Sequence, residues 1–228
     1  YQARGFYKAR IAELKVEPAG ERKVGVTILV DEGPPTLVGE LEIAGLGELE
    51  EPLRAELTRG LPLTLGSRFG EEELDRTKAV LLERLLEAGF AEAEVQGRAK
   101  VSLPDDRAQV SIVADAGRRY RFAALFVAGA NRVPRKRILD EARQEVVEKA
   151  LFKASALSRA EARIFDMGVF AAVKVTRGAP DRKAGTVPVV ISVREAPFRT
   201  IRVGAGLGID NERLELPRPA PTRIVRKG

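Results

Sequence analysis

The apolar residues of this chain recur at two spacings, which predict short strands and amphipathic helices in a set order. Residues 38–45 alternate between apolar and polar side chains and end in glycine, so they predict a strand. Residues 48–57 and 71–88 repeat leucine at helical intervals, so each predicts a helix with one apolar side. Residues 93–101 and 108–114 predict a hairpin, because the sequence LPDD between them favours a turn.

The resulting order is strand, helix, helix, strand, strand. Such a unit buries its apolar positions when two helices cover one face of a three-stranded sheet. We therefore predict the α+β class, built from tandem βααββ units that each contain a three-stranded mixed sheet under two helices.

The unit recurs along the chain at a nearly constant offset. Residues 5–11 (GFYKARI) align with residues 89–95 (GFAEAEV), and the strand-like residues 26–33 align with residues 110–117, both 84 positions later. A third copy follows 79 positions after the second and places Gly168 opposite Gly89. The missing five residues are expected in a loop.

These offsets predict four segments. Residues 1–34 are the end of a repeat that lacks its first strand and first helix, and residues 35–117 and 118–197 are complete repeats. Residues 198–228 begin with a glycine-rich alternating strand, typical of the start of a β-barrel, and end in PRPAPTRIVRKG, which we expect to be an unpaired tail. In the third copy, Pro134 is predicted to start the first helix, and Ser158 with Glu161 to form a capping box on the second.

A glycine followed by an aromatic residue ends the second helix of each copy. Glycine suits the left-handed position after a helix, and an aromatic side chain can fold back onto the last turn. The predicted caps are Gly5 with Phe6, Gly89 with Phe90, and Gly168 with Phe170, the last aromatic lying one place later than in the other copies.

Composition removes most catalytic chemistry. The chain contains neither cysteine nor histidine, which excludes disulfides, zinc sites built from these ligands, and catalytic triads that need a thiolate or an imidazole. Acidic pairs such as Asp105 with Asp106 lie in a predicted turn, where solvation explains them. We predict no enzymatic activity, no cofactor and no metal. The longest apolar run, residues 122–130, is far shorter than the roughly 20 residues of a membrane-spanning helix.

Two motifs of the repeat resemble those of the POTRA (polypeptide-transport-associated) repeat of the outer-membrane β-barrel assembly family (BamA/TamA-like). The first is GF-x-x-A-x-[IV] after the second helix, and the second is V-x-[IV]-x-x-[DE]-x-G at the end of the last strand. The first motif is carried by Gly5, Phe6, Ala9 and Ile11 in copy one, and by Gly89, Phe90, Ala93 and Val95 in copy two.

This resemblance implies a periplasmic location beside the outer membrane and a role in protein assembly or transport. Repeats of this family receive unfolded outer-membrane proteins, accessory lipoproteins or periplasmic chaperones, and precede a C-terminal β-barrel that is absent here. An alternative within the family is the POTRA region of a two-partner-secretion transporter. The sequence disfavours an RNA-binding module, because the GxxG loop of a KH domain is missing between the helices, so we predict no nucleic-acid partner.

The resemblance also implies that the second strand of each sheet is an exposed edge. A free edge can pair with an incoming extended segment through its backbone, which gives sequence-tolerant binding. The predicted client-binding backbones are those of Glu92, Glu94, Gln96 and Arg98 in copy two, and of Lys174 and Thr176 in copy three. The alternative is that these edges are solvated and protected by charge.

Seven basic side chains lie between residues 117 and 139, where no acidic residue occurs. They are Arg118, Arg119, Arg121, Arg132, Arg135, Lys136 and Arg137. Their place in the repeat nearest the predicted barrel strand suggests contact with anionic lipid head groups or lipopolysaccharide phosphates. The alternative is an ordinary solvated surface, with some charges paired to Glu141 and Glu145.

The links between repeats, residues 31–36 (DEGPPT) and 115–120 (DAGRRY), are too short to behave as flexible tethers. Neighbouring repeats should therefore hold preferred angles. The second link lacks proline, so we expect it to bend more than the first.

Overall fold

The computed structural model describes residues 1–18, 24–197 and 224–227, with side chains placed in the first two ranges. Over these residues the strands form three sheets of three strands each. The strands are β1 (Arg10–Pro18), β2 (Val24–Asp31), β3 (Leu37–Ala44), β4 (Glu94–Ser102), β5 (Arg107–Asp115), β6 (Arg121–Ala128), β7 (Phe170–Arg177), β8 (Thr186–Glu195) and β9 (Ile224–Lys227). The helices are α1 (Glu51–Thr58), α2 (Glu71–Glu87), α3 (Arg135–Arg143) and α4 (Ala154–Phe165), with a short 3₁₀ turn at Gln2–Arg4.

The second and third sheets have the same topology. Their strand orders are β3-β5-β4 and β6-β8-β7, so the last strand of each repeat lies in the centre. It pairs in parallel with the first strand and antiparallel with the second, which makes each sheet mixed. The predicted α+β class and βααββ order are confirmed, whereas the segment boundaries at residues 35, 118 and 198 stay predictions.

Each of these sheets buries one face under its two helices. Every second residue of β5 is buried, from Ala108 to Ala114, as the alternating pattern predicts. Leu57 from α1, and Leu81 and Leu85 from α2, pack into the same core. An equivalent core joins β6, β7 and β8 to α3 and α4. Within the described residues, no helix combines the length and apolar character required to cross a membrane.

The glycine predicted to cap the second helix of each copy has a left-handed backbone conformation. Gly89 has φ of 101°, and the N–H of Phe90 donates to the Leu85 carbonyl at 3.1 Å, as in a Schellman cap. Gly5 and Gly168 also have positive φ, of 86° and 71°. In the third copy the aromatic residue Phe170 is the first residue of β7, and the register of this strand shifts between Phe170 and Ala172.

The predicted capping box on α4 is wrong. The helix begins at Ala154, four residues before Ser158, with Lys153 as its N-cap residue. The first turn is capped instead by Glu87 at the end of α2, whose carboxylate accepts the N–H of Ser155 at 2.5 Å and its hydroxyl at 2.8 Å. A partner 68 residues away in the preceding repeat is not visible to a local motif.

The C-terminal prediction is only partly within the described residues. The glycine-rich strand expected at residues 199–214 lies outside them. Residues 224–227 are not an unpaired tail, because they form β9, which pairs in parallel with β2 from Ile28 to Asp31. This strand occupies the position beside β2 that β3 occupies beside β5.

Candidate binding edge and repeat joints

The predicted edge residues lie on outer strands, with one exception. Strands β4 and β7 are each the last strand of their sheet. Glu94, Gln96 and Arg98 lie in β4, and Lys174 and Thr176 in β7, and all five are exposed. Glu92 does not belong to the edge, because it precedes β4 in a turn, where its side chain contacts the next repeat.

The outer face of the second sheet is polar and its charge changes sign from one edge to the other. Glu40 on β3 lies opposite Gln109 on β5, which lies opposite Lys100 on β4. One row further along, Glu42 and Arg98 lie on either side of Ser111. The β4 edge is therefore the basic side of this face. Basic side chains on an edge strand discourage pairing between copies of the same chain.

The basic residues between positions 117 and 139 do not form one cluster. Strand β6 separates Arg118, Arg119 and Arg121 from Arg132, Arg135, Lys136 and Arg137, and eight strand residues span about 26 Å. The first group lies at the joint between repeats, where the Arg119 guanidinium is 5.3 Å from the ring centre of Phe90 and Arg121 donates to the Lys149 carbonyl at 2.9 Å.

The second group lies around the start of α3, at the end of the repeat where β8 finishes. All four of its side chains are exposed. The expected pairing with Glu141 and Glu145 is wrong, because these carboxylates pair with Arg163 and Arg159, whereas Arg132 lies 3.4 Å from Glu195. An ordinary solvated surface remains the alternative. Contact of the second group with anionic lipid head groups stays a prediction.

One carboxylate at this end organises the loop before α3. Glu195, the last residue of β8, accepts the backbone N–H groups of Asn131, Arg132 and Val133 at 2.7–3.0 Å. The N–H groups of Val133 and Arg132 hold the pKa of the Glu195 carboxyl below its usual value. The sequence offered no signal for this contact, because the two segments are more than 60 residues apart.

The joints between successive repeats use the same backbone contacts. The N–H of Thr36 donates to the Gly5 carbonyl at 2.8 Å, and 84 residues later the N–H of Tyr120 donates to the Gly89 carbonyl at 2.9 Å. The carbonyls of Thr36 and Tyr120 each accept an N–H from the loop between the helices of their own repeat, from Phe69 and Phe152 at 2.9 Å. The helix-cap glycine of one repeat thus binds the residue directly before the first strand of the next.

Each joint has an ion pair between the two repeats, and the positions of the acidic and basic partners are exchanged from one joint to the other. At the first joint Lys8 contacts Asp106 at 2.7 Å, and at the second joint Arg182 contacts Glu92 at 2.9 Å. Lys8 and Glu92 are 84 residues apart, so they occupy equivalent positions with opposite charge. The second repeat therefore presents an acidic residue at both of its joints.

Tyr120 is the central side chain of the second joint. It is fully buried, and its hydroxyl donates to the Glu92 carboxylate. Burial and this hydrogen bond raise the pKa of Tyr120, whereas the Arg182 guanidinium and the Tyr120 hydroxyl lower the pKa of Glu92. No sequence motif marks Tyr120, although the 84-residue offset aligns it with the buried Thr36.

The lowered pKa of Glu92 predicts a pH-dependent joint. A carboxyl whose pKa is lower in the folded state stabilises that state above its unfolded pKa, and this contribution is lost as pH falls through the folded pKa. We expect Glu92→Gln to lower the melting temperature at about pH 7, with the difference from the parent chain shrinking below the usual carboxyl value of 4.5. Thermal unfolding of both chains over this pH range is the measurement, and a difference that is the same at every pH contradicts the assignment.

These features define a class of protein: α+β repeats joined end to end through their helix caps, each with a three-stranded sheet whose second strand in the chain lies at an edge. A sequence profile of the POTRA family, described as "Surface antigen variable number repeat", matches residues 38–115. Residues 38–115 are therefore a POTRA repeat, and the resemblance noted in the sequence is confirmed.

Solved structures extend the likeness beyond this repeat. POTRA domains 3–5 of BamA from Haemophilus influenzae match with a TM-score of 0.60 and 25% identity, over 84% of this chain and 74% of that one. BamA from Haemophilus ducreyi lacking POTRA domains 1–3 matches with a TM-score of 0.58 and 24% identity, over 70% of this chain and 29% of that one. This chain thus spans less than a third of the Haemophilus ducreyi chain.

Proposed function

We propose that this chain is the periplasmic scaffold of an outer-membrane protein assembly or translocation factor, and not an enzyme. Its task is to hold unfolded β-barrel clients or accessory partners by adding their extended segments to a sheet edge. The POTRA profile over residues 38–115 and the likeness to the POTRA domains of BamA support the family role. The position of β4 at the edge of its sheet is the observation that carries the binding mode.

An edge strand offers backbone donors and acceptors that its own sheet does not use. Nine residues of β4 pair with β5 on one side only, and their polar side chains are exposed on the outer face of the sheet. An added strand gains hydrogen bonds that do not depend on its side chains, which suits clients of many sequences. Arg98 and Lys100 favour segments that also carry acidic side chains.

The choice of test variant depends on which N–H groups point outward. In the third repeat the N–H of Val175 points away from β8, toward a side chain of α4. Val175 pairs with Ile191, and Gly97 pairs with Ile112 at the equivalent place in the second sheet. Since N–H directions alternate along a strand, Ala99 also points its N–H outward.

We expect Ala99→Pro to weaken binding of a fluorescent ten-residue peptide with alternating valine and threonine by about tenfold, because it removes one donor and blocks the adjacent pairing. Proline is tolerated at such a position because the lost N–H makes no bond inside the sheet. Fluorescence anisotropy with the whole chain measures the affinity.

Ala99→Ser is the matched control, because it changes the side chain and keeps the donor. Circular dichroism should show that both variants fold as the parent does. Equal affinity of the parent, Ala99→Ser and Ala99→Pro for the peptide rules out strand addition at β4.

A further inference from the structure

A carboxylate from the helix above occupies the free edge of the third sheet. Val175 lies in the edge strand β7, and its backbone N–H donates to Oε2 of Glu161 on α4 at 2.8 Å. In an antiparallel pair a backbone N–H points either toward the partner strand or away from it. Because Val175 donates to the helix, Glu161 holds a donor that an incoming strand would need.

A second contact keeps the carboxylate at the edge. Nζ of Lys174, the neighbouring residue in β7, is 3.6 Å from the same oxygen of Glu161. The Glu161 side chain is 32% exposed, so it lies between the helix and solvent. Hydrogen bonds to an ionised carboxylate are roughly twice as strong as those between neutral groups. An added strand would have to displace this bond before it gained its own.

Apolar side chains lie beside the capped donor. A groove between α4 and β7 is lined by Ala162, Phe165, Ala172 and Val173, and Phe165 is 51% exposed. Such a groove could receive the alternate side chains of an added strand. The apolar surface alone would favour binding here, so the backbone donor held by Glu161 decides whether the edge is open.

The second repeat has no carboxylate at the position equivalent to Glu161. Glu161 lies seven residues before Gly168, and the residue seven positions before Gly89 is Leu82, which has no acceptor. Over Gly97, the register equivalent of Val175, lies the side chain of Lys78, which can only donate. Among the side chains that the structure describes, none accepts a backbone N–H of β4. The β7 edge therefore has a carboxylate bound to one of its outward backbone N–H groups, and the β4 edge does not.

We propose that Glu161 closes the edge of the third sheet to strand addition and so confines extended clients to β4 of the second repeat. This inference rests on the strand-addition function proposed above. The partner it concerns is an extended polypeptide segment with alternating apolar and polar side chains, recognised through its backbone. Glu161→Leu, which copies the residue of the second repeat, should open the closed edge.

The test uses the whole chain with a photoreactive benzoylphenylalanine at position 98 in β4 or at position 176 in β7. The probe is a biotinylated ten-residue peptide of alternating valine and threonine. In the parent chain, we expect labelling at position 98 to exceed that at position 176 by about tenfold. At the β7 edge the peptide must first break the charge-assisted hydrogen bond between Val175 and Glu161. Glu161→Leu should raise labelling at position 176 by about the same factor and leave position 98 unchanged.

Glu161→Gln is the conservative control, because its amide oxygen can still accept the Val175 N–H. It should keep labelling at position 176 low. Amide hydrogen exchange at Val175, measured without peptide, should speed up in Glu161→Leu and stay slow in Glu161→Gln. This readout reports on the cap itself and does not depend on client binding.

The outcomes separate the two proposals. Equal labelling at positions 98 and 176 in the parent chain overturns the role of Glu161 and leaves strand addition in place. Unchanged labelling at position 176 in Glu161→Leu, despite faster exchange at Val175, overturns it as well. Absence of labelling at both positions in every variant refutes strand addition, and the inference about Glu161 falls with it.

Discussion

Tyr120→Ala should destabilise the third repeat by about 3–5 kcal/mol, the range for removing a large buried aromatic side chain. Tyr120 is fully buried and belongs to the core of the third repeat, where Leu86 and Ala91 of the preceding repeat also pack. The substitution thus creates a cavity at the joint and removes the donor to Glu92. Urea unfolding of the whole chain, followed by circular dichroism, should show an earlier transition for part of the signal.

Tyr120→Phe is the matched control, because it keeps the ring and loses only the hydroxyl, at a cost of about 1 kcal/mol. Small-angle scattering should show a broader distribution of shapes for Tyr120→Ala than for Tyr120→Phe. Both variants unfolding like the parent would contradict the role assigned to the ring. Because Thr36 at the first joint is buried as well, the expectation that the second link bends more than the first stays a prediction.

Gly129→Ala should destabilise the third repeat by at least about 2 kcal/mol, through backbone strain and a collision with main-chain atoms. Gly129 follows β6 with φ of 81°, and a Cβ there would collide with the carbonyl oxygen of Val193 in β8. Gly45, 84 residues earlier, has the same relation to Ala114 in β5. Because the obstacle is backbone in the central strand, side-chain rotation cannot relieve it.

Gly168→Ala separates strain from collision in the same repeat. Gly168 has φ of 71°, but nothing lies within 4 Å of the position its Cβ would take. We expect this variant to lose only about 1 kcal/mol, the cost of a left-handed alanine. Thermal unfolding should therefore rank the parent above Gly168→Ala and Gly168→Ala well above Gly129→Ala. Equal losses in the two variants would show that the collision with Val193 is relaxed.

The local architecture could be predicted because its determinants are close in sequence. The alternation in residues 108–114 placed every second side chain of β5 in the core, and the glycine after α2 ended that helix where expected. The 84-residue offset carried this unit from one copy to the next. Strand alternation, helix periodicity and caps each act within about seven residues, so a single sequence shows them directly.

Contacts between repeats could not be predicted in this way. The Ser158 and Glu161 motif suggested a capping box, but Glu87 of the preceding repeat caps α4 and leaves Glu161 free to reach Val175. The seven basic residues are neighbours in sequence, yet β6 carries Arg121 and Arg132 to opposite ends of the repeat. Residues that are close in sequence lie far apart in space when an extended strand separates them.

The sequence by itself determined the repeat, the order of its strands and helices, and the exclusion of cysteine and histidine chemistry. Only the tertiary structure decided that Tyr120 fills a joint, that Glu92 serves this joint and not the edge, and that Glu161 accepts the backbone N–H of Val175. The reason is physical: periodic burial is encoded by neighbouring residues, whereas a hydrogen bond between repeats depends on how two folded units meet.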